Sequence, residues 1–482
     1  MSHSKVFSGV IWASVQRFGN LAISFVSTMV MARLLSPNEF GVIGMLMFFL
    51  ALAQTFVDSG LGAALVQKKE LDILDTSTAF YINIILSSVL YCILFLCAPA
   101  ISRFYNLEIV CPLLRVMGLT LFIQGFTLVQ TSLCQKELQF KTLSICNLTG
   151  SITLAIIGIC AALAGCGVWS FVIRSLSGSL ISSILLWKAS NWRPKFIFSR
   201  DRMKHLFNFG GFMLLSSLCI TISNNVQSLV IGKMFSPSIL GKFTQAKTLR
   251  NIPADSIQQV IGQVLFPEFS KHQDHDEIIK DKLNKSVYIL SFLVIPMMLL
   301  CIIIAKPLIL FFYGEKWIEA VPYFQILCIG GIPYCIQDVN INVIKAKGKS
   351  RILFYLNLVK AFVFCGMTIV GGIYYGLQGL LYMAVIYNVL AYLCFAIVGT
   401  GIIKTNICEQ LKAISKCLFY ACIPFVVSMY LNSYLEAYMA FIRITVISFI
   451  YISIYLCVSW MCKSEALKYL LHQVSITHKT SN

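Results

Sequence analysis

Charged residues are scarce in this chain of 482 residues. Only 12% are Asp, Glu, Lys or Arg, against about 25% in ordinary soluble domains. Apolar residues make up 58% of the chain, and this composition excludes a soluble globular protein. The net charge of +18 does not indicate a nucleic-acid partner, because the basic residues recur in short stretches between apolar runs and do not form one polar module.

The motifs of several chemical sites are also missing. The sequence contains no Cys-x-x-Cys, no Gly-rich phosphate loop, no His-Glu-x-x-His and no Gly-x-Ser-x-Gly. We therefore predict no cofactor, no metal site and no enzymatic activity. Eighteen cysteines are present, and their apolar surroundings predict small core hydrophobes at Cys92, Cys97, Cys160, Cys219, Cys301 and Cys394.

Long apolar runs fill most of the chain. A helix needs about 20 apolar residues to cross a bilayer, and fourteen segments satisfy this condition. The sequence therefore predicts an all-α polytopic membrane protein with about fourteen transmembrane helices. The predicted spans cover residues 8–32, 40–60, 78–101, 112–133, 143–163, 167–188, 208–232, 241–266, 286–312, 320–343, 352–374, 378–402, 413–432 and 439–462.

Lys and Arg are distributed unequally between alternate loops. With a cytoplasmic N-terminus, 25 of them fall on the inner side and 6 on the outer side. Cytoplasmic loops of membrane proteins carry such an excess of positive charge. We therefore predict a multi-pass membrane protein with both termini in the cytoplasm.

The two halves of the chain share an ordered set of motifs. Leu35-Ser36-Pro37-x-x-Phe40-Gly41 corresponds to Phe235-Ser236-Pro237-x-x-Leu240-Gly241. The shift spans six helices, an even number, so both copies insert in the same direction, as in transporters built from parallel repeats. This predicts a six-helix lobe at 1–205, a second at 206–403, and two additional helices with a cytoplasmic tail at 404–482.

Ten ionisable residues fall inside predicted spans, where a charge at the bilayer centre costs about 2.5–3.5 kcal/mol. We expect Arg115 and Arg443, near span ends, to snorkel to the interface. Several of the others should line a wet cavity instead. Span eight supports this, because Lys247, Asn251 and Asp255 share one helical face.

From these positions we predict the residues of a cationic central cavity, which suits an anionic substrate. The alternative interpretation is that these polar residues only hold neighbouring helices together. The predicted substrate-binding residues are Arg17, Asn224, Lys247, Arg250, Asn251 and Lys360. The candidates for H⁺ or Na⁺ coupling are Asp58, Asp255 and Asp338, and Gln337 and Asn340 are expected near the cavity.

Several stretches resemble the Wzx-type (WzxC-like) polysaccharide flippases of the multidrug/oligosaccharidyl-lipid/polysaccharide exporter superfamily. The resemblance covers about residues 5–400. It rests on residues 34–41 (LLSPNEFG), residues 56–71 (FVDSGLGAALVQKKEL), Gly167-Val168-Trp169, Trp192-Arg193-Pro194, Leu265-Phe266-Pro267 and residues 312–317 (FYGEKW).

The resemblance implies a bacterial inner-membrane protein with two six-helix lobes in a V shape. It also implies that an undecaprenyl-diphosphate-linked oligosaccharide moves from the cytoplasmic to the periplasmic leaflet by alternating access, for lipopolysaccharide, O-antigen or exopolysaccharide synthesis. The expected partners are this lipid-linked substrate, membrane lipids and other polysaccharide-assembly proteins. A peptidoglycan-precursor flippase is a near alternative within this group.

Two more distant functions remain as alternatives. A multidrug exporter of the same superfamily would need a net acidic cavity for cationic drugs, whereas the spans hold seven basic and three acidic residues. A membrane glycan polymerase or glycosyltransferase usually needs a large outer loop with catalytic residues, and the predicted outer loops here are short.

Overall fold

The computed structural model describes residues 3–58, 61–68 and 70–469. The predicted cytoplasmic tail from residue 470 onward lies outside the described residues, as do Lys69 and Lys479 of the inner-side charge count. Within the described ranges the chain is helical and forms no strand. It folds as two compact units, Met1–Gly241 and Lys242–Asn482. The three-part division predicted from the repeat stays a prediction.

The first unit consists of ten helices and the first residues of an eleventh. They are α1 (His3–Leu34), α2 (Pro37–Asp58), α3 (Leu61–Gln67), α4 (Ile73–Tyr105), α5 (Val110–Met117), α6 (Leu119–Gly125), α7 (Leu128–Lys136), α8 (Phe140–Leu163), α9 (Trp169–Ala189) and α10 (Arg200–Met234).

The second unit takes the rest of α11 and six further helices. They are α11 (Pro237–Lys271), α12 (Asp276–Ile303), α13 (Ala305–Phe312), α14 (Ala320–Ala346), α15 (Ser350–Ile402), α16 (Ile407–Tyr434) and α17 (Ala440–Met461). Helix α15 covers two predicted spans, 352–374 and 378–402. Between them Gly376 has a φ of 64° and breaks the helical path.

Nine helices of the described chain are long and apolar enough to cross a membrane. The number is ten if the segments Val110–Gly125 and Leu128–Lys136, bent by 41°, form one span. The predicted count of fourteen spans stays a prediction. Helices α1, α10 and α11 correspond to predicted spans but are not among the nine.

The repeated Ser-Pro motif starts a helix in both halves. Pro37 and Pro237 are the first residues of α2 and α11, where a missing backbone N–H costs nothing. In the first copy the backbone N–H of Ser36 donates to Glu39 Oε2 at 2.6 Å, and the N–H of Glu39 donates to Ser36 Oγ at 3.4 Å. This reciprocal pair is a capping box that fixes where α2 begins.

The two motifs also pack against each other. A Cβ atom added to Gly41 would overlap the carbonyl oxygen of Pro237, and one added to Gly241 would overlap the carbonyl oxygen of Pro37. The contacts are reciprocal, as in a local two-fold arrangement. Glycine at both positions therefore lets the two helix starts meet backbone to backbone.

A buried carboxylate joins three segments of the first unit. Asp75, near the start of α4, has a side chain that is 2% exposed, and its Oδ2 lies 2.6 Å from Lys68 Nζ. Its Oδ1 lies 3.5 Å from Arg202 Nε of α10. Next to it, the indole of Trp192 donates to Thr76 Oγ1 at 2.9 Å, which fastens the linker before α10 to α4.

Replacing Asp75 by alanine should lower the free energy of unfolding by about 1–3 kcal/mol. The change leaves Lys68 without its carboxylate, while Arg202 keeps its contact with Asp72, and the partial exposure of both cations reduces the loss from the value for a fully buried pair. Unfolding in detergent measures the effect. The control is Asp281→Ala, which breaks an exposed pair with Lys285 and should leave the free energy of unfolding nearly unchanged. Equal effects of the two changes would contradict this account.

The second unit contains a buried amide pair. Asn340 of α14 donates to Gln410 Oε1 of α16 at 3.1 Å, and Gln410 donates back to Asn340 Oδ1 at 3.1 Å. The hydroxyl of Tyr392 also donates to Gln410 at 3.1 Å. The expectation that Asn340 lies near the cavity is wrong, because its side chain is 0% exposed and joins two helices.

The cysteines do not all lie in the core. Cys92, Cys97, Cys160 and Cys394 are exposed on the outside of their helices, so the prediction of core positions is wrong for them. An apolar environment in sequence does not separate the two locations, because helices in a bilayer carry apolar residues on their outer faces too.

Candidate anion-binding site

The buried guanidinium of Arg250 is the centre of the candidate site. Arg250 lies on α11 and is 7% exposed. Its Nη1 donates to Asn251 Oδ1 at 3.0 Å, and its Cζ lies 4.9 Å from the ring centroid of Tyr334 on α14. Its Nε has no hydrogen-bond partner among the described residues. A buried guanidinium that keeps an unused donor is available to an anionic ligand.

A second cation lies one turn earlier on the same helix. Lys247 is partly buried, and its Nζ lies 6.0 Å from the ring centroid of Phe243. The charges of Arg250 and Asp255 both act on it. Two cations and one carboxylate thus follow each other along α11, as the helical phase of the sequence predicts.

Helix α15 contributes a third cation, Lys360, and α14 contributes its hydrogen-bond partner. Lys360 Nζ donates to Gln337 Oε1 at 3.4 Å and lies 5.4 Å from the ring centroid of Phe395. The charge of Asp338 acts on Lys360. This contact places Gln337 beside Lys360, and the expectation that Gln337 lies near a cavity stays a prediction.

One hydrogen bond ties α11 to α14 beside the cluster. Gln258 Nε2 donates to the backbone oxygen of Tyr334 at 3.0 Å, which holds the aromatic ring close to Arg250. The charge pattern did not single out Tyr334. Nothing in the sequence distinguishes Tyr334 from the other tyrosines, of which the chain has 20 in all, so only the packing identifies it as a neighbour of Arg250.

The structure brings six of the nine predicted site residues into the second unit, on α11, α14 and α15: Lys247, Arg250, Asn251, Asp255, Asp338 and Lys360. Arg17, Asn224 and Asp58 belong to the first unit, where Arg17 and Asn224 are exposed and Asp58 accepts a hydrogen bond from Gln54 at 2.8 Å. That all nine line one chamber stays a prediction.

Two arginines expected to snorkel differ in their surroundings. Arg115 lies 4.2 Å from the ring centroid of Phe95, next to the end of a predicted span. Arg443 is 4% exposed and donates to Asn432 Oδ1 of α16 at 2.8 Å. Snorkelling is therefore wrong for Arg443, because its guanidinium is buried and paired between α16 and α17.

The cluster can bind an oxyanion. Guanidinium and ammonium groups form charge-assisted hydrogen bonds with phosphate oxygens. Lys247, Arg250 and Lys360 supply three positive charges, against Asp255 and Asp338. Tyr334 and Phe395 flank the cations with aromatic faces, which stabilise positive charge without neutralising it.

Solved membrane transporters share this all-helical fold. A lipid II flippase, MurJ, in an inward closed conformation aligns with a TM-score of 0.76 over 94% of this chain and 98% of that chain, at 17% identity. An inward-facing multidrug resistance MATE family transporter of the MOP superfamily aligns with a TM-score of 0.64 over 82% and 98% of the two chains, at 15% identity. The predicted fold class, an all-α multi-pass membrane protein, is confirmed.

Over residues 30–322 the sequence matches the family described as polysaccharide biosynthesis protein, and the chain belongs to this family. It is 27% identical over 423 residues to the teichuronic acid biosynthesis protein TuaB of Bacillus subtilis (strain 168), with 86% of each chain covered. It is 24% identical over 374 residues to the lipopolysaccharide biosynthesis protein WzxC of Escherichia coli (strain K12), with 76% and 75% covered.

A third relative is named as a transport protein. The chain is 25% identical over 370 residues to the succinoglycan biosynthesis transport protein ExoT of Rhizobium meliloti (strain 1021), with 76% and 74% covered. The predicted resemblance to the Wzx-type flippases is confirmed. The chain is a flippase-like membrane transporter of polysaccharide biosynthesis and not an enzyme.

Proposed function

We propose that this protein flips an undecaprenyl-diphosphate-linked oligosaccharide repeat unit from the cytoplasmic to the periplasmic leaflet of a bacterial inner membrane. The observation that carries the proposal is the cation cluster of Lys247 and Arg250 on α11 with Lys360 on α15. A diphosphate is the part of such a substrate that needs cations, because the polyprenyl chain can remain in the lipid.

The chemistry of the cluster favours this substrate over a cationic drug. The unpaired Nε of Arg250 is a donor, and it can pair with a phosphate oxygen but not with an ammonium group. In the proposed cycle the diphosphate binds while the site opens to the cytoplasm and is released after the site opens to the periplasm. Both termini lie in the cytoplasm in this scheme, as the positive-inside count predicts.

The driving force in this proposal is an ion gradient or removal of the product on the periplasmic side. Asp255, Asp338 and Asp58 are the candidate groups for H⁺ or Na⁺ coupling. Asp338 and Asp255 each lie close enough to a cation of the cluster to act on its charge, Asp338 on Lys360 and Asp255 on Lys247. A cation bound or lost at Asp338 would change how strongly Lys360 attracts a phosphate.

Replacing Arg17 or Lys247 by alanine should abolish surface glycan in cells that depend on this protein, while its level in the membrane stays normal. Each change removes one positive charge from the proposed path of the diphosphate. Surface glycan staining and immunoblotting of membranes measure the two quantities. Normal glycan in both variants would remove these residues from the proposed site.

Purified protein in liposomes tests the function directly. It should speed the exposure of an undecaprenyl-diphosphate-linked glycan to a lectin added outside. Export of a cationic dye without any movement of the lipid-linked glycan would instead support a multidrug exporter. Elongation of the glycan by the purified protein alone would support a polymerase.

A further inference from the structure

The first unit contains an open cavity that the proposed phosphate cluster does not use. Its volume is about 830 Å³, within the range of about 300–1,000 Å³ typical of ligand pockets. Residues from α1, α2, α3 and α6 to α9 line it. Asp58, one of the predicted coupling residues, is part of this lining.

Uncharged polar side chains face this cavity from several helices. Thr131 and Gln135 lie about one turn apart on α7, Gln124 lies on α6, and Thr127 lies in the bend between these two helices. Helix α1 adds Gln16 and Asn20, α8 adds Asn147 and Ser151, and α9 adds Ser179 and Ser182. The pattern of charges within the predicted spans does not indicate these uncharged residues.

Several of these groups keep unused hydrogen-bonding capacity. Asn147 Oδ1 accepts from Ser182 Oγ at 3.1 Å, and no described residue accepts from its amide N–H. Gln16 Oε1 accepts from Ser144 Oγ at 3.1 Å. Asn20 Oδ1 is buried and has no partner among the described residues. Such groups need a partner, which a polar ligand or ordered water can supply.

The charge of the lining selects the kind of ligand. Among the described lining residues there is one carboxylate, Asp58, and no Lys or Arg. A phosphate is therefore a poor ligand. A side-chain amide both donates and accepts, and so does a sugar hydroxyl, so amide groups match the alternating donors and acceptors of a saccharide. Leu128, Leu154 and Leu186 add an apolar part to the lining.

The cavity also has a suitable position. Asp58 ends α2, and Gln135 precedes the end of α7 by one residue. The positive-inside orientation assigns both helix ends to the cytoplasmic side, where a lipid-linked oligosaccharide would be loaded.

We infer that this cavity binds a neutral saccharide unit of the transported glycan. The inference rests on the proposed function for the source of the saccharide. It assigns the sugar to the first unit and the diphosphate to the cation cluster. Asn147, Gln124 and Asn20 provide the principal hydrogen-bonding groups of the sugar site.

Binding of neutral sugars to the purified full-length protein tests the inference. The probes are methyl glucoside, methyl galactoside, methyl N-acetylglucosaminide and neutral disaccharides, measured by saturation-transfer NMR in nanodiscs. At least one probe should bind with a Kd of about 1 mM or tighter, which corresponds to about −4 kcal/mol. Asn147→Leu should weaken this binding about fivefold or more, because it removes the amide donors.

The matched control is Thr149→Leu, on the exposed face of the same helix, which should bind like the wild type. Gln124→Leu tests the site from α6, so that misfolding of one variant does not decide the result. Sugar binding by wild type without glycan flipping would reject the proposed transport but retain this cavity as a saccharide site.

Two results would overturn the inference. One is the absence of binding of every probe to folded wild-type protein. The other is sugar binding that Asn147→Leu and Gln124→Leu both leave unchanged. Binding of ²³Na⁺ that depends on Asp58, with no sugar bound, would identify the cavity as an ion site and would also contradict the inference.

Discussion

Replacement of Arg250 by alanine should slow flipping of a diphosphate-linked glycan about ten- to hundredfold while the folded protein remains in the membrane. A hydrogen bond to a charged group contributes about 1.5–3 kcal/mol, and each 1.4 kcal/mol is a factor of ten. The rate of glycan exposure in liposomes is the measurement. Arg250→Lys should restore only part of this rate. A planar guanidinium can stack on the ring of Tyr334 and donate hydrogen bonds to a phosphate from its edge, whereas an ammonium group has no plane to stack.

The control for this prediction is Arg115→Ala. Arg115 is also an arginine in a predicted span, but it lies over Phe95 and outside the cluster. Its removal should leave the rate close to that of the wild type. If Arg115→Ala and Arg250→Ala slow flipping equally, the effect comes from loss of positive charge in general, and the assignment of Arg250 is wrong.

Replacement of Gly41 by alanine should reduce both the thermal stability and the glycan export of the protein strongly. The new methyl group would overlap the carbonyl oxygen of Pro237, and a backbone atom cannot rotate away as a side chain can. Overpacking of a close contact costs about 1–3 kcal/mol or more. Melting in detergent and surface glycan measure the two effects. Gly241→Ala should act alike, because its methyl group would overlap Pro37.

Gly262→Ala is the matched control on α11. Nothing lies within 4 Å of a Cβ at this position, so the added methyl group meets open space. Alanine also favours a helix over glycine, so melting should be unchanged or slightly higher. Wild-type stability and export in Gly41→Ala would show that the two helix starts can separate without cost.

Part of the candidate site follows from sequence alone. The spacing of Lys247, Asn251 and Asp255 places them on one face of a single helix, and the structure keeps that helix continuous from Pro237 to Lys271. Helical periodicity is local, so it survives folding unchanged. The partners of that face are not local. Tyr334 and Lys360 are separated from Arg250 by 84 and 110 residues of sequence, and only packing brings α14 and α15 into one unit with α11.

Errors of the sequence interpretation have the same origin. Asn340 and Arg443 are polar residues in apolar runs, and such residues either face water or bind another helix. The structure pairs Asn340 with Gln410, and Arg443 with Asn432. Periodicity reports which residues share a face but not what that face meets, so it could not choose between the two.

The sequence by itself determined that this is an all-helical membrane protein, that the predicted spans carry more cations than acids, and to which family the chain belongs. These properties depend on composition, local spacing and short motifs. The tertiary structure alone decided that Gly41 meets Pro237, that Arg250 lies against Tyr334, and that seven helices of the first unit line an open cavity with amide side chains. Contacts between distant helices depend on the packing of their side chains, which no single segment encodes.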